Sequence, residues 1–149
     1  MPKIRPLRFA LLVDADNVSL RAVSAALPEI GRLGTVGICR VYGRLTKAMR
    51  PGWVAAIRAG GCPPPRIVYR AGPNAADFAL TMDAVEMVQR GDVDGFCLLS
   101  SDGDFVHVAR RLREKGCEVH VFAPPTAARS LKRAAGTFHA IGQGQPATL

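Results

Sequence analysis

The sequence predicts an α/β protein, one domain built on a mainly parallel sheet with helices on both faces. Three observations carry this. Short apolar runs alternate with longer amphipathic segments from Phe9 to Ile141, the pattern of successive βαβ units. Glycines close the amphipathic segments at Gly34, Gly60-Gly61, Gly91 and Gly116. The chain has 149 residues, 48% of them hydrophobic, enough for one core. Right-handed crossovers between parallel strands put helices on both sides of such a sheet.

Met1 to Arg8 reads as a loose basic arm, and the domain proper runs from residue 9 to residue 141. Phe9 to Val13 is the first strand. Ser19 is placed to N-cap a helix over Ser19 to Leu33, in which Pro28 predicts a kink or break. Thr35 to Tyr42 is the second strand. Pro51 suits the first turn of a helix reaching Ala59. Pro63-Pro64-Pro65 is a stiff connector into a third strand, Arg66 to Tyr69. After the turn at Gly72-Pro73-Asn74, a helix spans Ala75 to Arg90, with Phe78, Met82 and Val85 as its inner stripe, widened by Leu80, Met87 and Val88. Phe96 to Leu99 is the fourth strand. Gly103 to Lys115 is a helix with Phe105, Val108, Ala109 and Leu112 inward. Glu118 to Phe122 is the fifth strand, Thr126 to Ala135 a last helix, and Phe138 to Ile141 a short sixth strand. Residues 142 to 149 read as a tail.

Charge narrows the partners. Twenty Lys+Arg against twelve Asp+Glu give +8 and a pI near 10.0, which favours a polyanion. A solubility role is the plainer explanation. No apolar run approaches a membrane span, and the basic N-terminus lacks the features of a signal peptide. Cys39, Cys62, Cys97 and Cys117 form no CxxC pair, so a standard zinc site is not expected; a reduced, cytoplasmic protein is. His107, His120 and His139 lack ligand spacing. Trp53, Tyr42 and Tyr69 read as packing residues of the core or rim, with base stacking the alternative.

The acids are placed unevenly. Asp14 and Asp16 follow the first strand, and Asp102 and Asp104 follow the fourth. Ligands of open α/β sheets bind beyond the carboxyl ends of strands, where strand order reverses. If these two strands are neighbours there, their carboxylates share a crevice, joined by Asp77 at the start of the third helix. Clustered carboxylates repel one another. A hard divalent cation, Mg²⁺ or Mn²⁺, relieves this and supports water activation and in-line attack at phosphorus. Each acid also has a structural explanation: Asp102, Asp104 and Asp77 as first-turn or capping residues, and Asp14, Asp16 and Asn17 as turn residues. Asp83 shares a helical stripe with Glu86 and Arg90 and reads as part of a solvated face.

Several stretches in register resemble one family. Val13-Asp14-Ala15-Asp16-Asn17 resembles the VDxxN opening of NYN domains, the LabA-like branch of the PIN-like nuclease superfamily. Gly72-Pro73-Asn74-Ala75-Ala76-Asp77 is similar to its GKNxxD turn, and Thr81-Met82-Asp83-Ala84 to its IDA segment. Gly91 through Phe105, with Ser100-Ser101-Asp102-Gly103-Asp104 at its centre, is similar to its FDGFxLVSSDSDF block. Arg111-Leu112-Arg113-Glu114-Lys115-Gly116 fits its LREKG ending. The resemblance implies a three-layer PIN-like (Rossmannoid) fold with strand order 3-2-1-4-5, which makes the first and fourth strands neighbours. It also implies Mg²⁺- or Mn²⁺-dependent RNA cleavage. By position it makes Asp14, Asp77, Asp102 and Asp104 metal-site acids and gives Asn17 a supporting hydrogen bond; Ser101 and Asp83 are further candidates. The family's usual lysine is Pro73 here, which can neither pair with the acids nor contact a phosphate.

Together these readings describe an endoribonuclease acting on RNA, expected to be single-stranded. Arg40, Arg44, Lys47, Arg50 and Arg70, with the arginines of the fourth helix, are candidates for backbone contacts. One rival is a non-catalytic RNA-binding or partner-recruiting module, and a homodimer or protein partner is compatible with either. Another is a haloacid-dehalogenase-type phosphatase, since Asp14-Ala15-Asp16-Asn17-Val18 formally fits DxDx[TV]; its later Ser/Thr and lysine are not found in order.

Overall fold

The structure, a computed structural model, describes residues 5–142. Residues 1–4 of the basic arm, and the tail from residue 143 onward, lie outside the described residues. Eleven main elements follow one another: β1 (Arg8–Asp14), α1 (Leu20–Leu33), β2 (Thr35–Gly43), α2 (Arg50–Ala59), β3 (Arg66–Tyr69), α3 (Ala75–Arg90), β4 (Gly95–Leu99), α4 (Val106–Glu114), β5 (Glu118–Ala123), α5 (Arg129–Ala134) and β6 (Thr137–Ala140). All strand pairs are parallel, in the order β3-β2-β1-β4-β5-β6. This is the expected three-layer order extended by β6 beyond β5.

Strand alternation divides the core in two. Phe9, Leu11 and Val13 of β1 join Cys39, Cys97 and Leu99 on one face, under Val23, Leu27 and Ile30 of α1 and Trp53 and Ile57 of α2. Ala10 and Leu12 join Phe96, Leu98 and Val121 on the other, under Leu80 and Met87 of α3, Val108 and Leu112 of α4, and Leu131 of α5. The central strands β1 and β4 are buried along almost their whole length. Their register sets Val13 beside Leu99, so the two chains leave the sheet at the same level.

Four local expectations change. Helix α1 runs unbroken through Pro28, held to the sheet by Val23, Ala26, Leu27 and Ile30 on either side of it, with Ser19 Oγ accepting from Ala22 N–H at 3.1 Å. The turn before α4 is 3-10 rather than α, and the Asp102 side chain caps it by accepting Asp104 N–H. Helix α5 begins only at Arg129, after a turn in which Ala127 N–H reaches the Pro124 carbonyl. The largest correction concerns α3: Phe78, Met82 and Val85 are 70%, 62% and 37% exposed. The buried stripe is Ala76, Leu80, Ala84 and Met87. Two alanines let the helix lie close to the sheet, and the bulkier side chains fall on the outer flank. At the N-terminal edge, Arg5 and Arg8 both bind the Asp94 carboxylate, so the described part of the arm is docked on the loop before β4.

Candidate metal centre

The site forms where β1 and β4 end. Asp14 is the last residue of β1 and is wholly buried. Its Oδ2 accepts from Asn17 Nδ2 and from Ser100 Oγ, each at 2.7 Å. Its Oδ1 is buried without any hydrogen-bond partner. A buried carboxylate oxygen left bare is costly, and this one marks where a positive charge belongs. Burial raises the Asp14 pKa first, Asn17 and Ser100 oppose that, and the charge of Asp16 adds a little.

Ser100 ties the two strand ends together. It gives its proton to Asp14 and accepts Asp102 N–H at 3.1 Å. Asp102 then caps the next turn, its Oδ1 accepting Asp104 N–H at 2.9 Å. Asp77 enters from the first turn of α3. Ahead of it, Asn74 holds a left-handed φ of 60°, a conformation Asn tolerates, as the chain turns into the helix. One carboxylate oxygen from each of Asp14, Asp77 and Asp102 lies within 4.8 Å of the others. Burial, contact with Asp102, and the charges of Asp102, Asp14 and Asp104 raise the Asp77 pKa to about 7.

Three crowded carboxylates, one with a bare buried oxygen, supply hard oxygen donors and excess negative charge. They fit a hard divalent cation of the Mg²⁺ or Mn²⁺ kind. Asp104 stands outside this trio, exposed on the turn, though its charge acts on Asp77.

The remaining candidates are dispersed. Asp16 turns away from the crevice: its Oδ1 accepts Arg44 N–H at 3.1 Å, fastening the first loop to the end of β2. Gly43 permits this with a φ of 137°, and a Cβ there would lie 2.7 Å from Asp16 Oδ1. Asp83 binds Arg40 at 2.9 Å and the Tyr42 hydroxyl at 2.7 Å, so Arg40 and Asp83 serve each other. Ser101 makes only a long 3.5 Å contact to the Asn17 carbonyl. Arg50 donates to the Leu45 carbonyl and, with Lys47 and Arg58, lines a separate shallow cavity on α2. Arg70 donates to the Tyr69 carbonyl and lines a cavity between β3 and α3. In α4, Arg111 pairs with Glu114 and Arg113 donates to the Ala134 carbonyl. Ser100, the residue joining Asp14 to Asp102, is the one sequence reasoning missed; its signal is a small hydroxyl directly after a buried strand.

Fold and site together define a three-layer α/β/α domain whose carboxylates converge where the central strands end. The NYN domain model matches residues 8–142, and the chain belongs to that family. NYN domains are RNA-related and part of a nuclease superfamily in which a divalent metal is typical. An uncharacterized protein of Methanocaldococcus jannaschii is 26% identical over 141 residues, covering 91% of this chain and 56% of that protein. The chain therefore spans about half the length of that relative. A crystal structure of a protein of unknown function from Vibrio parahaemolyticus superposes with a TM-score of 0.76 at 21% identity, covering 97% of this chain and 98% of that one; it shares the fold. Among the described residues, no helix is long and apolar enough to cross a membrane.

Proposed function

We propose that this protein is a metal-dependent endoribonuclease that cuts single-stranded RNA in the cytoplasm. The observation that carries the reading is the wholly buried Asp14, which has one carboxylate oxygen without a hydrogen-bond partner and brings an oxygen within 4.8 Å of oxygens of Asp77 and Asp102. Asp14, Asp77 and Asp102 would hold Mg²⁺ or Mn²⁺, with Asp104 at the rim. When bound, such an ion supplies the positive charge and water activation that phosphodiester hydrolysis needs. The protein's own part is positional. Asn17 and Ser100 hold Asp14 Oδ2, which leaves its other oxygen free for an ion. Ser100 also fixes the backbone of Asp102, keeping the acids of two strands in one frame. The basic surface draws the RNA backbone toward this crevice.

Pro73 favours a second reading, a module that binds RNA without cutting it, because it places no cation beside the acids. A dehalogenase-type phosphatase is disfavoured: the second acid of its motif, Asp16, is engaged by Arg44 N–H. Labelled single-stranded RNA, incubated with Mn²⁺ or chelator, tests the main reading beside Asp102→Asn. Cleavage that needs Mn²⁺ and is lost in the variant supports it. Cleavage persisting in purified Asp102→Asn refutes it, and RNA bound intact in every lane moves the assignment to the binding module.

A further inference from the structure

A cavity of about 470 Å³ lies between the edge strand β3 and the outer flank of α3. That is within the size range of ligand pockets, about 300–1,000 Å³. Ala75, Phe78, Ala79 and Met82 form one wall, spaced i, i+3, i+4, i+7 on a single helix face. Opposite stand Val68, Arg66 and Arg70 of β3 and its exit. Phe78 is 70% exposed and Met82 62% exposed. The two alanines leave room beside the ring.

The cavity and the acid cluster draw neighbouring residues from the start of α3. Asp77 and Phe78 are consecutive, so the ring leaves the helix about 100° round from the metal-site carboxylate. Arg66 forms no ion pair among the described residues, and Arg70 spends only a backbone contact on Tyr69. Asp83, the acid in the cavity, is already matched by Arg40 and Tyr42. An exposed aromatic ring, an apolar floor and two arginines make an aromatic platform with cations for the backbone. Single-stranded nucleic acid is bound by that combination. A purely apolar dimer patch would not need the arginines.

We propose that this cavity is the subsite for a nucleotide flanking the scissile phosphate of single-stranded RNA. Its base stacks on Phe78 against Met82, and its phosphate is held by Arg66 and Arg70. The inference rests on the nuclease reading for what lies next door, but its test does not. Affinity for fluorescein-labelled oligouridylate is measured by anisotropy in chelator, for wild type, Phe78→Ala, Phe78→Trp and Arg66→Ala. Phe78→Ala is expected to bind about 10-fold more weakly, the usual effect of one lost stacking partner. Phe78→Trp should recover the affinity and show indole quenching on binding. Arg66→Ala should weaken binding and flatten its salt dependence. Equal affinity of Phe78→Ala and wild type overturns the subsite. So does sedimentation showing a wild-type dimer that Phe78→Ala converts to monomer with RNA affinity unchanged. Failure of the nuclease reading has a different signature: wild type hydrolyses neither RNA nor bis(p-nitrophenyl) phosphate with Mn²⁺, whatever the anisotropy shows.

Discussion

Replacing Asp77 by Asn should stabilise the metal-free protein while destroying its site. The Asp77 pKa is raised from 3.8 to about 7 by burial and by Asp102, Asp14 and Asp104. The unfolded chain gives up this proton near pH 4, whereas the folded protein keeps it until near pH 7. Between those values the folded state binds more protons, so the Asp77 contribution to stability falls as pH rises and is at its worst above 7. Taken at face value the interval corresponds to about 4 kcal/mol. Asp77 is only partly buried, and solvent screening reduces this to about 1–2 kcal/mol. Asn, isosteric and neutral, removes the penalty. For a domain of this size the gain is a rise in Tm of about 2–8 °C at pH 8 in chelator. It should vanish below about pH 3, where wild-type Asp77 is protonated in both states. Thermal melts of both proteins across that range, with and without Mg²⁺, test the reasoning. Mg²⁺ should raise the wild-type Tm and leave the variant nearly unmoved. A variant no more stable than wild type at pH 8 in chelator would refute the claim that these carboxylates strain one another.

Three further changes probe the frame around the acids. Ser100→Ala removes both the bond to Asp14 and the acceptor for Asp102 N–H, and should weaken Mn²⁺ binding about 10–100-fold by calorimetry. Gly43→Ala puts a Cβ against Asp16 Oδ1 at a φ of 137° and should cost about 2 kcal/mol or more in urea unfolding. Tyr42→Phe removes a 2.7 Å bond to Asp83, which keeps Arg40 as its partner; the expected loss is about 1 kcal/mol by the same measurement.

Much of the fold was legible because its strands are short apolar runs bounded by glycine and acid. The neighbourhood of β1 and β4 was another matter. Nothing in the residues alone orders strands, and only the family resemblance supplied 3-2-1-4-5. The acids were legible as a group because strand ends in open α/β sheets are where ligands bind. Their individual directions were not. Asp16 and Asp14 are two residues apart, yet one is drawn outward by Arg44 N–H and the other is sealed under Asn17 and Ser100. Helix α3 was misread because it is apolar on two flanks. Side-chain bulk favoured Phe78, Met82 and Val85 as the inner stripe, while close packing on the sheet selected Ala76 and Ala84. Ser100 offers only a small hydroxyl after a buried strand until register sets it level with Asp14.

On the nuclease reading, the charge arrangement separates binding from cleavage. The chain carries a net charge of +8, while the crevice concentrates three carboxylates. An RNA backbone is attracted by the first and repelled by the second. On that reading, holding the strand needs no ion, whereas bringing a phosphate to the acids does. Without an ion, Asp77 relieves the crowding by keeping a proton up to about pH 7. A divalent cation must displace that proton, so its affinity should climb as pH rises to about 7 and level off above it. Hence RNA affinity in chelator should vary little between pH 6 and pH 8, while the Mn²⁺ concentration needed for half-maximal cleavage falls over the same interval. Equal Mn²⁺ requirements at both pH values would mean that Asp77 is already ionised and that the acids are held apart by something other than their own repulsion.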